Sequence, residues 1–193
     1  MIFYFLRGLK TLFIRAKTIK GQKYAYLVKN VWKNGKVKQI TKKYLGKIFD
    51  LSSDFDEEIY NNFFIDFSKD INVIFKDLIS RELSSFSFVF DGKNGFHHPS
   101  GLVVKLTKRS KIFSSNKNIV LFFNKRYVYP KLFDLLLNYY EPESETDKKG
   151  ERLAFRLRDA GIQLNSEEFI LLYKKIYLSD SKDNFIRKSD FDY

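Results

Sequence analysis

The chain has 193 residues, 44 % of them apolar and 30 % charged, enough apolar material for a packed core in one or two domains and too much for wholesale disorder. It contains no cysteine and two histidines, His97 and His98, which excludes disulfides, thiolate metal sites and a cysteine nucleophile and leaves little material for a histidine triad or metal cluster. The formal net charge is +12, so the expected partner is anionic.

That charge is one-sided. Residues 1–50 hold 13 Lys/Arg against the single acid Asp50, whereas residues 51–193 hold 22 of each sign. An AT-rich gene would favour Lys over Arg, here 26 against 9, but would not place the excess in the first quarter. A basic module joined to a neutral body is the electrostatic footprint of nucleic-acid binding. The apolar opening Met1-Ile2-Phe3-Tyr4-Phe5-Leu6 is far short of the ~20 residues a spanning helix needs. Arg7 and Lys10 follow it, the reverse of a secretory leader, so a cytoplasmic location and no membrane partner are expected. Residues 1–11 are read as an extra strand or an upstream extension.

Three strand-like runs follow: Leu12 to Lys17, Lys23 to Trp32 and Lys36 to Tyr44. They are rich in aromatic and β-branched residues. Gly21 marks the first turn, and Asn34-Gly35 is a strong type I′ hairpin signal. A three-stranded antiparallel meander is expected. Strict alternation puts Tyr24, Tyr26, Val28 and Trp32 on one face of the second strand, with Lys23, Ala25, Leu27, Lys29 and Val31 on the other. It puts Lys36, Lys38, Ile40, Lys42 and Tyr44 together on the third, opposite Val37, Gln39, Thr41 and Lys43. Such a surface contacts phosphates through lysines and stacks bases on tyrosines. The candidate binding residues are Arg15, Lys17, Lys20, Lys23, Tyr24, Tyr26, Lys29, Lys33, Lys36, Lys38, Gln39, Lys42, Lys43 and Tyr44. The ordinary alternative for Tyr24, Tyr26 and Trp32 is a place in the core.

The stretch Phe13-Ile14-Arg15, Lys17, Lys20-Gly21, Tyr24-Ala25-Tyr26-Leu27-Val28, Gly35-Lys36-Val37-Lys38-Gln39 and Lys43-Tyr44-Leu45-Gly46 resembles the short N-terminal segment of DDE-type insertion-sequence transposases. It also resembles the start of small archaeal proteins carrying the same segment. The resemblance covers about residues 13–46 and implies a nucleic-acid-contacting leader, with DNA favoured over RNA. It carries no catalysis, because that chemistry belongs to a longer RNase H-like domain with three metal-binding carboxylates.

Beyond Asp50 the composition turns neutral. Acids at Asp54, Asp56, Glu57 and Glu58 suit a helix N-terminus, and the sequence predicts a helix over 55–66 capped by Ser52 or Ser53. A second helix is predicted over 69–83, with Ile71, Ile74, Phe75, Leu78 and Ile79 forming an apolar stripe. Strands are predicted at Phe86–Phe90, Leu102–Leu106, Asn118–Phe123 and Arg126–Tyr129. The span 105–126 holds Lys105, Lys108, Arg109, Lys111, Lys117, Lys125 and Arg126 and no acid, a second candidate patch or a solvated run. Phe96-His97-His98-Pro99-Ser100-Gly101 is the most site-like loop, but no acid or cysteine stands at a recognisable ligand spacing. A turn with one histidine hydrogen-bonded locally is expected there.

Pro130 suits the first turn of a helix reaching Tyr140. Residues 141–150, almost without apolar side chains, read as a loop or linker. A helical hairpin follows: Glu151–Ala160, Gly161 at the position after the cap, then a helix capped by Asn165 or Ser166 and running to Leu178, with Phe169, Leu172, Tyr173 and Ile176 as its stripe. The Ala160-Gly161-Ile162 turn invites a helix-turn-helix reading. Glu167 and Glu168 would face phosphates there, which favours a structural or partner-docking hairpin. Residues 179–193 read as a frayed tail.

The expected fold class is α+β, divided into a basic meander (1–49), an α+β body (50–140), a linker (141–150) and a helical hairpin with a polar tail (151–193). The expected function is non-enzymatic nucleic-acid binding, DNA or RNA, with no metal or cofactor and with a protein partner for the hairpin. A ribosome- or ribonucleoprotein-associated protein, and a small nuclease using His97 or His98, are the alternatives.

Overall fold

The computed structural model describes residues 12–33, 35–93, 95–140 and 148–177. The chain is α+β. Its strands are β1 (Leu12–Ile19), β2 (Gln22–Lys33), β3 (Lys36–Asp50), β4 (Val89–Phe90), β5 (Gly95–His97), β6 (Leu102–Lys105), β7 (Lys111–Ser114), β8 (Lys117–Phe123) and β9 (Arg126–Val128). Its helices are α1 (Glu57–Asn62), α2 (Ile71–Ser85), α3 (Pro130–Leu137), α4 (Lys149–Asp159) and α5 (Ser166–Tyr177). The strands lie in the order β1-β2-β3-β8-β7-β6-β5-β4, with β9 also paired to β8.

The aromatic and β-branched runs at the N-terminus form the expected meander. β1 pairs with β2 from Leu12 opposite Lys29 to Ile19 opposite Gln22, and β2 pairs with β3 as far as Lys33 opposite Lys36. Lys20 and Gly21 turn the first hairpin with φ of +48° and +76°, the two positive angles that a two-residue type I′ turn requires. Asn34 lies outside the described residues.

β3 departs from its expected course twice. It does not end at Tyr44: it runs to Asp50, and Lys47–Asp50 pair in parallel with Ile119–Phe122 of β8. The meander and the body therefore share one sheet. Two β3 residues, Lys42 and Leu45, have no partner in β2, because the register shifts between Leu27 and Val28 and again between Ala25 and Tyr26. These are β-bulges, which twist and bend the strand. At the second, Gly46 has φ +138°, and a Cβ on it would come within 2.3 Å of the Asn118 carbonyl oxygen. Only glycine lets β3 approach β8 this closely.

The body folds around α2. Ile74, Phe75, Leu78 and Ile79 of its stripe are fully buried, while Ile71 sits at the margin. They join one core with Leu102, Val104, Ile112, Val120, Leu121, Phe133 and Leu136. From the basic module, Ile14, Ala25, Leu45 and Ile48 enter the same core.

Several boundaries differ from expectation. α1 covers Glu57–Asn62 rather than 55–66, and its cap is Asp56, whose Oδ1 accepts from the Ile59 N–H at 3.0 Å. Ser52 instead bonds to Asp50. The strand expected at Phe86–Phe90 shrinks to Val89–Phe90, because Phe86 closes α2 and Phe88 is buried. β7 was hidden in the basic run. α3 stops at Leu137, short of Tyr140. Lys149 and Gly150 belong to α4, not to a linker, and the rest of that stretch, 141–147, lies outside the described residues, as do 1–11 and the tail from 178.

The helical hairpin closes as expected at Gly161, φ +77°. The Ile162 N–H bonds to the Leu157 carbonyl and the Gly161 N–H to that of Arg158, a Schellman motif. Asn165 caps α5: its Oδ1 accepts from the Glu168 N–H at 2.9 Å, while Glu168 Oε2 accepts from the Asn165 N–H at 3.1 Å, a reciprocal capping box. Glu168 also pairs with the buried Arg81, whose guanidinium donates to the Gln163 carbonyl at 2.7 Å. The Tyr60 hydroxyl donates to that same carbonyl at 2.8 Å. The start of α5 is thus occupied by α2 and Tyr60, and cannot enter a groove as a recognition helix without breaking this network. Ile170 and Leu171 remain exposed on α5.

Candidate nucleic-acid interface

The sheet sorts the expected binding residues onto two faces, and the bulges decide how. Opposite residues share a face. Tyr26 is opposite both Arg15 and Tyr44, Tyr24 is opposite Lys17 and Lys47, and Asn30 and Trp32 are opposite Gln39 and Val37. One face therefore carries Arg15, Lys17, Tyr24, Tyr26, Gln39 and Tyr44, with Ile19, Trp32 and Lys47. The other carries Lys23, Lys29, Lys33, Lys36, Lys38 and Lys43 alongside the core residues Ile14 and Ala25. Lys20 sits in the first turn and Lys42 in a bulge. Strict alternation had joined Tyr44 to Lys36 and Lys38. The extra residue at Lys42 reverses the alternation and moves Tyr44 to the face of Gln39 and Thr41.

Every β3 residue from Lys36 to Tyr44 is exposed. The ribbon formed with Asn30–Lys33 stands clear of the core, with lysines on one side and Trp32, Val37 and Gln39 on the other. Trp32 is 71 % exposed, so the core reading of this residue is corrected. Lys33 and Lys36 are direct cross-strand partners, a like-charge pairing that weakens an isolated sheet.

On the face of the meander opposite Ile14 and Ala25, Ile19, Tyr24, Tyr26 and Tyr44 line an open depression of about 360 Å³. The Tyr44 ring lies 6.4 Å from that of Tyr24 and 5.4 Å from that of Tyr26, tilted by 43° and 51°. The Lys17 ammonium stands 5.1 Å from the Tyr26 ring centre. Arg15 donates to Gln39 Oε1 at 2.6 Å, which holds its guanidinium across the sheet. Burial, then the neighbouring Tyr24 and Tyr26, raise the Tyr44 hydroxyl above its ordinary value, so it remains a neutral donor. Ile19 and Lys47 were missed in the sequence. Ile19 follows Lys17 by two residues and shares its face, a signal that was available; Lys47 lies beyond Tyr44, where the strand was expected to end.

The second basic run is less unified. Lys105 is the direct cross-strand partner of Lys111, a further like-charge pair. Between them lie Lys108 and Arg109, on a loop pinned by the Ser110 N–H to Asp134 Oδ1 at 2.6 Å. Lys125 and Arg126 lie in and after the β8–β9 turn, where Asn124 and Lys125 have φ of +48° and +59°. Because β3 and β8 run parallel in the register Lys47 to Ile119, that turn lies at the end of β8 away from the Lys33–Lys36 tip. Lys117 lies at the other end of β8.

The histidines do not converge. His97 belongs to β5 rather than to a loop, and its Nε2 lies 3.3 Å from Asp91 Oδ2. Backbone hydrogen bonds from Lys93 and Gly95, then the His97 side chain, hold the Asp91 carboxyl below its ordinary value. His98 is hydrogen-bonded locally, as expected: its Nδ1 faces Ser100 Oγ at 2.7 Å and accepts from the Ser100 N–H. Its Nε2 is 3.4 Å from Asp54 Oδ2 but off the hydrogen-bonding line. Asp54 is a neighbour that no sequence spacing revealed. Among the described residues no group of three or more His, Cys, Asp and Glu side chains is placed to hold a metal ion, and no helix is long and apolar enough to cross a membrane.

Comparison of the chain with protein-family models, with curated proteins and with solved structures found no match.

Proposed function

We propose that this protein is a non-enzymatic, cytoplasmic nucleic-acid-binding protein whose N-terminal meander holds the phosphate backbone, with DNA the favoured polymer. The observation that carries this reading is the exposed β2–β3 ribbon within a stretch, residues 12–49, that holds eleven basic side chains and no acid. The Lys33–Lys36 pair supports it. Like charges placed directly opposite cost stability on their own, and a polyanion lying between them reverses the sign of that term. A two-stranded ribbon also has the dimensions to enter the major groove of duplex DNA.

The mechanism is electrostatic, so affinity follows counterion release. With about four phosphate contacts, binding of a fluorescent DNA duplex falls roughly a hundredfold between about 50 and 200 mM salt. Changing Lys36, Lys38, Lys42 and Lys43 together to Glu abolishes it. Affinity unmoved by salt, or retained by the quadruple variant, overturns the reading. Co-sedimentation with ribosomes in place of free DNA binding would select the ribonucleoprotein alternative.

A further inference from the structure

We infer that the depression between Ile19, Tyr24, Tyr26 and Tyr44 receives unpaired bases, so that the aromatic face engages a single strand while the lysine face engages duplex phosphates. This rests on the nucleic-acid reading above and adds the class of ligand for one face. The Tyr44 ring is tilted against those of Tyr24 and Tyr26, and the three lie on the face of the meander opposite Ile14 and Ala25, with Tyr44 53 % exposed. A volume of about 360 Å³ lies in the range of small-ligand sites and suits a planar base.

Bases inside a duplex are covered on both faces by their neighbours; a base that stacks on protein aromatics must be splayed from the stack. The flanking charges match the backbone of such a strand. Lys17 stands beside the Tyr26 ring, Arg15 is fixed by Gln39, and the Lys47 ammonium lies 4.8 Å from the Phe49 ring centre on the same face. No acid occurs between residues 12 and 49 to repel it. Further along this face stands Trp32, the single tryptophan of the chain, which offers another stacking platform.

The test uses the full chain and two fluorescein-labelled probes, a twelve-residue oligothymidine and a mixed-sequence duplex of equal length. Tyr44→Ala and Tyr24→Ala each weaken the single-strand probe about tenfold or more and leave duplex affinity within about twofold. Tyr44→Phe keeps both affinities. The oligothymidine quenches Trp32 fluorescence, and ultraviolet crosslinks from a bromodeoxyuridine oligonucleotide map to Tyr24, Tyr26 or Tyr44 in the wild-type chain, a readout independent of how the variants fold. Salt-dependent binding of both probes with no selective effect of the tyrosine changes, or crosslinks confined to Lys36–Lys43, overturns this inference and leaves nucleic-acid binding standing. Failure of both probes to bind overturns the broader reading first. Self-association that disappears in Tyr44→Ala would assign the face to a second copy of the chain and also overturns the inference.

Discussion

Glu82 follows Ile79 by three residues on α2 and continues the arc that Ile74, Phe75, Leu78 and Ile79 bury. Its carboxylate accepts from the Gln163 N–H at 2.7 Å and from Asn124 Nδ2 at 2.8 Å. Asn124 also donates to the Gly161 carbonyl at 2.7 Å, so one acid ties α2 to the β8–β9 turn and the helical hairpin. Burial raises Glu82 from 4.5 to about 7, against the pull of those two hydrogen bonds and the Arg81 charge. A carboxyl raised in the folded state binds its proton more tightly there than in the unfolded chain. Its contribution to stability is therefore full below pH 4.5 and is lost as pH rises through about 7. In urea titrations from pH 4.5 to 8, the stability of the wild type relative to Glu82→Gln falls by about 3 kcal/mol. A difference that stays flat with pH contradicts the assignment. The arc itself was legible in the residue spacing; the partners on Asn124 and Gln163 were not, because both are distant in sequence.

At the level of the element, β3 shows how two residues redirect a surface. Its strand character is plain in the residues, and so is the hairpin at Gly35. Its bulges are not, because a period-two pattern carries no mark of an unpaired residue. Gly46 is the one local signal, and the structure explains it: φ +138° together with the approach to Asn118. Gly46→Ala forces either β3 or β8 to move and costs about 3 kcal/mol or more. A thermal melt measures this, and a change under about 1 kcal/mol would show that the strand slips without penalty. β7 was missed for a different reason. Lys111 and the neighbouring Lys108 and Arg109 make the run look solvated, yet Ile112 alternates inward and is fully buried.

Across the whole molecule, the abrupt change of charge at Asp50 does not coincide with an end of the sheet. β3 carries the basic segment into a parallel pairing with β8, and Leu45 and Ile48 reach the common core. A chain comprising residues 50–193 leaves the Ile119–Leu121 edge unpaired and removes those apolar side chains. It is expected to lose cooperative unfolding and to bind a hydrophobic dye, measured by near-ultraviolet circular dichroism and dye fluorescence. A sharp melting transition in that fragment would show that the body folds by itself.

The sequence by itself determined the α+β class, the three-stranded meander, the apolar stripe of α2, the Gly161 turn and the concentration of positive charge before Asp50. Each follows from local steric preference, from short-period patterning or from counting. Tertiary structure decided which face each cation and each tyrosine occupies, that Tyr44 joins Tyr24 and Tyr26, and that Asp54 lies beside His98. It also decided that the basic segment is continuous with the body. The reason is the same in every case: bulges and pairings between strands distant in sequence are selected by the packing of the whole sheet, and one added residue is enough to turn a side chain from one surface to the other.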